Sequence, residues 1–239
     1  MDNKERKSKN FRNFYGRLKG KGLRALQQKL LNDQLEKLSI PAVKYEINPD
    51  RKLIELSDLF KNVTSFSLEI GFGGGEHLVY QAERNPNIGF IGCEPYINGV
   101  AMLAGKLSKL ELTNVRIHPG DVRDLFDVLP DDSIDSVFLL YPDPWPKKRH
   151  HRRRFVTSEY LIDLQRVMKT GALLRLATDI PDYVRQSLQE VCKHHFSWTA
   201  TDAQDWRECW SDWMPTRYER KALREGRRPY YLTFEKRES

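Results

Sequence analysis

The chain has 239 residues and 39% of them are hydrophobic, which predicts one α/β domain, or one domain with an appendage. Its formal net charge of +7 favours an anionic partner, and nucleic acid is the commonest such partner. No run approaches the roughly 18 apolar residues of a membrane span, and the charged N-terminus has no apolar signal region, so we predict a cytoplasmic protein without membrane contact. The three cysteines share no short spacing, which argues against a zinc site and a disulfide framework.

The first 25 residues are basic and carry the aromatic residues Phe11, Phe14 and Tyr15. Such an arm can lie along a phosphate backbone and stack a ring on a base, or it can be a solvated tail, and the sequence favours neither. Leucines at helical spacing from Leu23 to Leu38 predict a helix that ends before Pro41. We therefore separate a basic arm and helix, residues 1–40, from a main domain, residues 41–239.

A strand, a glycine turn and a helix follow one another between residues 66 and 82. Alternating apolar residues predict the strand, and glycines at 71, 73, 74 and 75 break it. This geometry lets backbone N–H groups and a helix N-terminus approach a bound cofactor, so Gly71 and Gly73 are candidate cofactor-binding residues. The alternative is a glycine-rich loop with no ligand, because short glycine motifs have many false positives.

An acid inside this strand, Glu69, narrows the class of cofactor. The glycines do not match the G-x-G-x-x-G pattern of dinucleotide sites, and a carboxylate beside the turn would repel a pyrophosphate. It suits a cofactor whose near end is cationic, and S-adenosylmethionine has that character through its sulfonium and amino groups. An NAD or nucleotide-sugar enzyme is therefore disfavoured.

Three more acids follow predicted strands. Glu94 ends the apolar run 89–94, where a carboxylate can accept hydrogen bonds from a ribose diol. Asp121 follows a strand at 115–118 and could accept from an adenine amino group, and Asp143 follows the apolar run 136–140. Ligands of open α/β sheets bind at the carboxyl ends of the strands, so these acids together predict a cofactor site.

The segment around Asp143 combines prolines with a basic run. Three prolines between 142 and 146 end the strand and are expected to hold the loop stiff and extended. Residues 147–154 are Lys, Arg or His without a break, which suits phosphate contacts by Lys147, Arg152 and Arg153. The alternative for a charge run is a solvated face.

The remaining chain predicts two helices and three strands. One helix runs from Ser158 to Met168 with Gly171 as its cap, and another begins at Pro181. The predicted strands are 172–177, which ends in Thr178 and Asp179, then 196–199 and 230–234. With the four strands above, the chain has seven candidate strands.

The motifs LEIGFGGG, GCEP, GDV, YPDPWPKKRHHRRRF, ATD and TRYERK together resemble the bacterial tRNA (guanine-N7)-methyltransferase family. The resemblance runs from about Phe11 to the C-terminus, and its most specific element is PDPWPKKRHHRRR. It implies an α/β fold with a doubly wound, mostly parallel seven-stranded sheet whose last strand is antiparallel. It also implies that S-adenosylmethionine is the cofactor, guanosine-46 in the variable loop of tRNA the substrate, and residues 41–239 the methyltransferase domain.

The resemblance also implies residue roles by motif position. Glu69, Glu94, Asp121 and Asp143 match the cofactor-contacting acids, and Asp143 also matches the catalytic position. The positions that match substrate contacts are Lys147, Asp179, Thr216, Arg217, Tyr218 and Glu219. No metal and no obligatory protein partner are predicted.

The chemistry of the implied reaction leaves one residue role open. Guanine N7 has a free lone pair, so methyl transfer is a direct displacement that needs positioning more than a strong base. Asp143 could stabilise the cationic purine that forms, or hold the N1–H and amino edge of guanine. The same scaffold also allows a methyltransferase for another RNA or a protein, or a non-catalytic RNA-binding protein.

Overall fold

The computed structural model describes residues 13–238, so Phe11 and the other residues of the arm before position 13 lie outside the described part. Its centre is one sheet of seven strands in the order β3-β2-β1-β4-β5-β7-β6. All neighbouring strands from β3 to β5 are parallel, and β7 is antiparallel to both β5 and β6. The strands are β1 Ser65–Ile70, β2 Ile88–Cys93, β3 Val115–His118, β4 Ile134–Leu140, β5 Met168–Thr178, β6 Phe196–Trp198 and β7 Tyr230–Lys236.

Eight α-helices connect or flank these strands in the described chain. They are α1 Ala25–Leu38, α2 Glu76–Arg84, α3 Ile97–Leu107, α4 Val122–Phe126, α5 Ser158–Val167, α6 Pro181–Val191, α7 Gln204–Arg207 and α8 Arg217–Arg224. Short 3-10 turns lie at Pro41–Val43, Leu56–Leu59 and Lys148–Arg153. Neither α4 nor α8 was predicted from the sequence.

The helices cover both faces of the sheet. Buried side chains of α1, α2 and α3 form one apolar cluster with β2 and β3, while α4, α5 and α6 contribute to a second cluster with β1, β4 and β5. Helix α1 contributes Leu31 and Leu38 to the first cluster, and Ser39 forms a β-bridge with Ile117 of β3. The division of the chain at residue 40 remains a prediction.

The strand order determines where a ligand can bind. β1 pairs on one side with β2 and on the other with β4, so the chain reverses its winding direction at β1. A crevice opens at such a reversal, outside the carboxyl ends of the strands. The predicted α/β fold with a doubly wound, mostly parallel seven-stranded sheet is confirmed, and the basic N-terminal extension stays a prediction.

The predicted role of Gly171 as a helix cap is wrong. Helix α5 ends at Val167, and β5 begins at Met168, four residues before the predicted start of the strand. Gly171 lies inside β5 with φ +80°, where the pairing with β4 shifts register between Ile134 and Ser136. The strand therefore continues past the glycine through an irregular segment.

Between residues 13 and 238, no helix combines the length and apolar character needed to cross a membrane. Within the same residues, no group of three or more His, Cys, Asp or Glu side chains is placed to hold a metal ion. All three cysteines are free; Cys93 is buried, and Cys192 and Cys209 are exposed.

Candidate active site

A cavity of about 520 Å³ lies at the carboxyl ends of β1, β2 and β4. Among the residues predicted from the sequence, eight line it: Gly71, Gly73, Glu94, Asp121, Asp143, Arg153, Arg217 and Tyr218. Six others do not: Glu69, Lys147, Arg152, Asp179, Thr216 and Glu219. The structure thus gathers most of the predicted cofactor-binding residues at one site and places the remainder behind or beside it.

Glu94 ties the glycine turn to the start of α3. The N–H of Gly73 donates to Glu94 Oε2 at 2.7 Å, and the N–H of Tyr96 donates to Oε1 at 2.8 Å. Gly73 has φ +56°, a conformation that favours glycine. A Cβ on Gly99 would lie 2.3 Å from the carbonyl oxygen of Gly73, so α3 can approach the turn only because Gly99 has no side chain.

The environment of Glu94 raises its pKa. Burial is the main cause, since only 7% of the residue is exposed, and the two backbone donors partly offset it. The nearby carboxylate of Asp143 raises the pKa further. The charged form of Glu94 is therefore costly in the free protein, and a ligand that donates hydrogen bonds or carries positive charge would stabilise it.

The carboxylate of Glu69 contacts a side chain of the next helix. It is 4% exposed, and its Oε2 lies 2.7 Å from Nδ1 of His77, the second residue of α2. The ring of His77 packs edge-on against Phe138 at 4.6 Å between centroids. The pair supports the glycine turn from behind, and a direct contact of Glu69 with the cofactor remains a prediction.

Asp121 caps α4 at the edge of the cavity. Its Oδ1 accepts from the N–H of Arg123 at 2.9 Å, and the guanidinium of Arg123 donates to both carboxylate oxygens at 2.5–3.1 Å. Arg123 is buried and also reaches Glu159 of α5 at 2.5 Å. The carboxylate is thereby held in place, with one side facing the cavity.

Asp143 lies on the cavity wall, in the loop that follows β4. Tyr141 and Trp145 have positive φ values of 51° and 41°. The chain bends at Tyr141 and Lys147, but residues 142–146 between them contain no turn or bend, so the expected extended shape of the loop stays a prediction. No hydrogen bond to the Asp143 carboxylate comes from residues 13–238. The residue is exposed, and partial desolvation by the surrounding walls raises the pKa of its carboxyl group. Asp143 is thus a carboxylate without a structural partner among the described residues, directed at whatever occupies the cavity.

The basic run divides into residues with different surroundings. The guanidinium of Arg153 lies over the Tyr15 ring at 4.6 Å and over the Trp145 ring at 5.0 Å, at the cavity wall. Arg154 is 1% exposed, and it donates to the Pro144 carbonyl oxygen at 2.8 Å and pairs with Asp182 at 2.9 Å. Arg154 therefore supports the loop of Asp143. Lys147 and Arg152 are exposed, as a phosphate contact requires.

The segment from Thr216 to Glu219 forms the start of α8. The Thr216 side chain caps the helix by accepting from the N–H of Glu219 at 3.2 Å, and Arg217 and Tyr218 face the cavity. Glu219 is 4% exposed and accepts from Trp213 Nε1 at 2.7 Å and from the hydroxyl of Tyr231. The T-x-x-E spacing is a capping signature that could have predicted this helix from the sequence.

Glu219→Ala should destabilise the protein by about 2–4 kcal/mol, because two buried donors lose their acceptor. Glu219→Gln, which keeps one acceptor oxygen, should lose roughly half as much. Urea unfolding at neutral pH measures both values. A loss below about 0.5 kcal/mol in the alanine variant, the range of ordinary surface substitutions, would contradict this structural role.

Asp179 lies at the end of β5, outside the cavity lining. Its carboxylate forms an ion pair with Arg227, which precedes β7. The carboxylate is mostly buried, with 12% of the side chain exposed. The predicted substrate contact therefore stays a prediction, and in this structure Asp179 joins two segments of the chain.

Comparison with known proteins places this geometry in a family. A profile described as "Putative methyltransferase" matches residues 64–232. A protein of Roseobacter denitrificans named tRNA (guanine-N(7)-)-methyltransferase is 63% identical, over 93% of this chain and 95% of its own. One of the same name from Agrobacterium fabrum is 47% identical, over 98% of this chain and 99% of its own.

The chain belongs to the tRNA (guanine-N7)-methyltransferase family. The predicted resemblance is thereby confirmed. Among solved structures, an antibiotic-related methyltransferase is similar with a TM-score of 0.56 and 18% identity, covering 79% of this chain and 98% of its own. At that identity the likeness supports the fold alone.

S-adenosylmethionine is the methyl donor of this family, and the residues of the cavity suit it. At Gly71 a Cβ would meet no atom within 4 Å, so the turn leaves open space against the backbone. Glu94 and Asp121 line this space with carboxylates, one buried and one held by Arg123. Acidic groups beside an open glycine turn match a donor that combines a cationic end with ribose hydroxyls.

The sequence did not reveal every part of the family's cavity in this chain. Two aromatic side chains of α5 and the segment before it were not anticipated, and neither was a stretch of the N-terminal arm. These residues are Phe155, Tyr160, Phe14, Tyr15, Gly16 and Arg17. No spacing in the sequence links positions 14–17 to a site that is built more than 50 residues later in the chain.

Proposed function

We propose that this protein transfers the methyl group of S-adenosylmethionine to N7 of guanosine-46 in the variable loop of tRNA. The products are tRNA with N7-methylguanosine and S-adenosylhomocysteine. The observation that carries the proposal is Asp143, an unpaired carboxylate among the described residues, between the buried acid Glu94 and the basic run 147–154. The acceptor is inferred from the names of the relatives described above. Because the acceptor is tRNA, we expect the protein to act in the cytoplasm.

The chain's own residues account for binding and orientation. When bound, S-adenosylmethionine supplies a methyl group on a sulfonium, which N7 attacks directly. Glu94 and Asp121 orient the donor through its hydroxyl and amino groups, and the glycine turn lets it lie against the backbone. Positioning of this kind can lower the barrier by several kcal/mol without a proton transfer.

Asp143 acts where charge changes during the reaction. Positive charge moves onto the purine as the methyl group arrives, and a nearby carboxylate stabilises that charge more strongly in a site with little water. The same carboxylate could also accept from the N1–H and amino group of guanine. Stabilising the charge requires the ionised form, and both roles require a direct contact with the acceptor base.

The substrate-binding surface follows from the exposed cations beside this loop. Arg152 lies on the 3-10 turn that follows the Asp143 loop, and Lys147 immediately precedes that turn. A tRNA backbone bound there would place a loop nucleotide at the mouth of the cavity. The proposal includes no obligatory protein partner.

Arg152→Ala should weaken tRNA binding and reduce the slope of log affinity against log salt by about one, if Arg152 neutralises one phosphate. Lys193→Ala is the matched control, because this exposed lysine follows α6 at the opposite end of the sheet. Filter binding across a salt series measures both slopes. Equal slopes in Arg152→Ala and the wild type would assign the run to a solvated face.

A methyl-transfer assay with labelled S-adenosylmethionine tests the proposed function directly. The acceptors are unmodified tRNA transcripts that differ only at position 46, with guanosine or adenosine there. Label that requires the guanosine and maps to its N7 supports the proposal. Label on both transcripts would reject the site but keep the enzyme class, and no label on any tRNA would point to another RNA or a protein as substrate.

A further inference from the structure

Residues 13–21 of the arm cross the open side of the cavity, and we refer to this segment as the strap. Its first residue is fixed by Arg123, whose Nη2 donates to the carbonyl oxygen of Asn13 at 3.1 Å. Arg123 is the same buried side chain that holds Asp121 at the cavity edge. One end of the strap is therefore attached to a residue that positions a predicted cofactor contact.

The other end of the strap is attached to the start of α3. The N–H of Ile97 donates to the carbonyl oxygen of Leu18 at 3.0 Å. The side chain of Asn98 makes two further bonds, accepting from the N–H of Gly20 at 2.8 Å and donating to the carbonyl oxygen of Lys21 at 2.7 Å. Asn98 does not line the cavity, so its contacts with the strap can be changed without touching the ligand space.

The middle of the strap faces the cavity. Phe14, Tyr15, Gly16 and Arg17 line it together with Glu94 and Asp121. Tyr15 stacks on Arg153 at 4.6 Å, and the guanidinium of Arg17 lies 5.7 Å from the centre of the Tyr96 ring. The strap has no helix or strand of its own, and these contacts hold it over the site.

We propose that the strap is part of the S-adenosylmethionine site, where it forms the outer wall and retains the bound cofactor. Its contacts reach the segments that carry Glu94 and Asp121, on both sides of the opening. Occupancy of the cavity adds contacts to the strap's inner side, so cofactor binding and strap docking must favour each other by the same factor. The inference takes the cofactor from the proposed function and does not depend on tRNA.

The alternative is that the basic side chains of the strap bind the phosphate backbone of tRNA. Arg17, Lys19 and Lys21 are exposed, and a basic arm can bind tRNA without contributing to the cofactor site. In that case tRNA, and not the cofactor, would protect the strap. The two assignments therefore predict opposite results with separate ligands.

Asn98→Ala tests the proposal by releasing one end of the strap. Titration calorimetry with S-adenosylhomocysteine alone should give a Kd weakened about fivefold to thirtyfold, the range for loss of one to two hydrogen bonds. Asn32→Ala is the control, because Asn32 is exposed on α1 and its side chain accepts a hydrogen bond from Gln28 of the same helix. An unchanged Kd in Asn98→Ala, with thermal unfolding like that of the control, would overturn the proposal.

Limited proteolysis of the wild-type protein provides a second readout that needs no variant. Trypsin cleaves after Arg17, Lys19 and Lys21, and saturating S-adenosylhomocysteine should slow these cuts by a factor similar to the change in Kd. Asn98→Ala should lose most of that protection. Protection by tRNA with none from S-adenosylhomocysteine would overturn the proposal. Since neither measurement uses methyl transfer, a negative transfer assay would leave both results interpretable.

Discussion

Asp143→Ala should lower kcat for methyl transfer by about 10²–10³, while the Kd for S-adenosylmethionine changes by only a few-fold. The reason is that this carboxylate lines the cavity yet has no hydrogen-bond partner among residues 13–238, so its removal should leave the fold and the other predicted cofactor contacts, Glu94 and Asp121, in place. Single-turnover kinetics with saturating tRNA measure the rate, and calorimetry measures the affinity. Turnover near that of the wild type would contradict a catalytic role.

Asp143→Asn separates the two roles that the geometry permits. The amide keeps an acceptor oxygen but lacks the negative charge. If Asp143 mainly holds the edge of guanine, the Asn variant should retain much more activity than Asp143→Ala. If it mainly stabilises the cationic purine, both variants should be similarly slow.

Glu94→Gln should weaken S-adenosylmethionine binding by about 10²–10⁴-fold, the sum of two losses of roughly 1.5–3 and 1–3 kcal/mol. The first is the charge-assisted bond to the ligand. The second arises because an amide has one acceptor oxygen for two backbone donors, the N–H groups of Gly73 and Tyr96. Calorimetry measures the affinity, and Asn32→Ala again serves as control. A change below about threefold would show that Glu94 does not bind the donor.

The raised pKa of Glu94 adds a pH dependence to the same prediction. Burial raises this pKa, so protonation begins at a higher pH than for an exposed glutamate. The cofactor favours the ionised form, and affinity should therefore fall as the pH is lowered through the raised pKa. Glu94→Gln should remove this component of the pH profile. A wild-type profile identical to that of the variant would show that the carboxylate stays ionised throughout or does not contact the ligand.

The arrangement of three of the acids that we propose as cofactor contacts was accessible from the sequence. Glu94, Asp121 and Asp143 each follow an apolar run, and the carboxyl ends of parallel strands meet at one edge of a sheet. The sequence did not show which acids pair with other side chains of the protein. Glu69 pairs with His77 and Asp179 with Arg227, and these pairings depend on how helices and loops pack after the sheet has formed.

Local irregularities account for the other differences between the predicted and the observed structure. Gly171 looks like a helix cap because it follows a helical pattern, but the register shift against β4 places it inside a strand. Helix α8 was missed because its sequence is almost entirely polar, although Thr216 and Glu219 have the spacing of a capping box. The course of the strap depends on side chains from three distant segments and left no periodic pattern.

The strap has a consequence for the order in which the protein can fold during synthesis. Asn13 leaves the ribosome well before its partner Arg123, which follows 110 positions later. Contacts at such separation form late, because the intervening chain must first be ordered. The strap thus waits until β1, β2 and β3 have been made, and the cofactor site is closed by a segment that precedes all three strands in the chain.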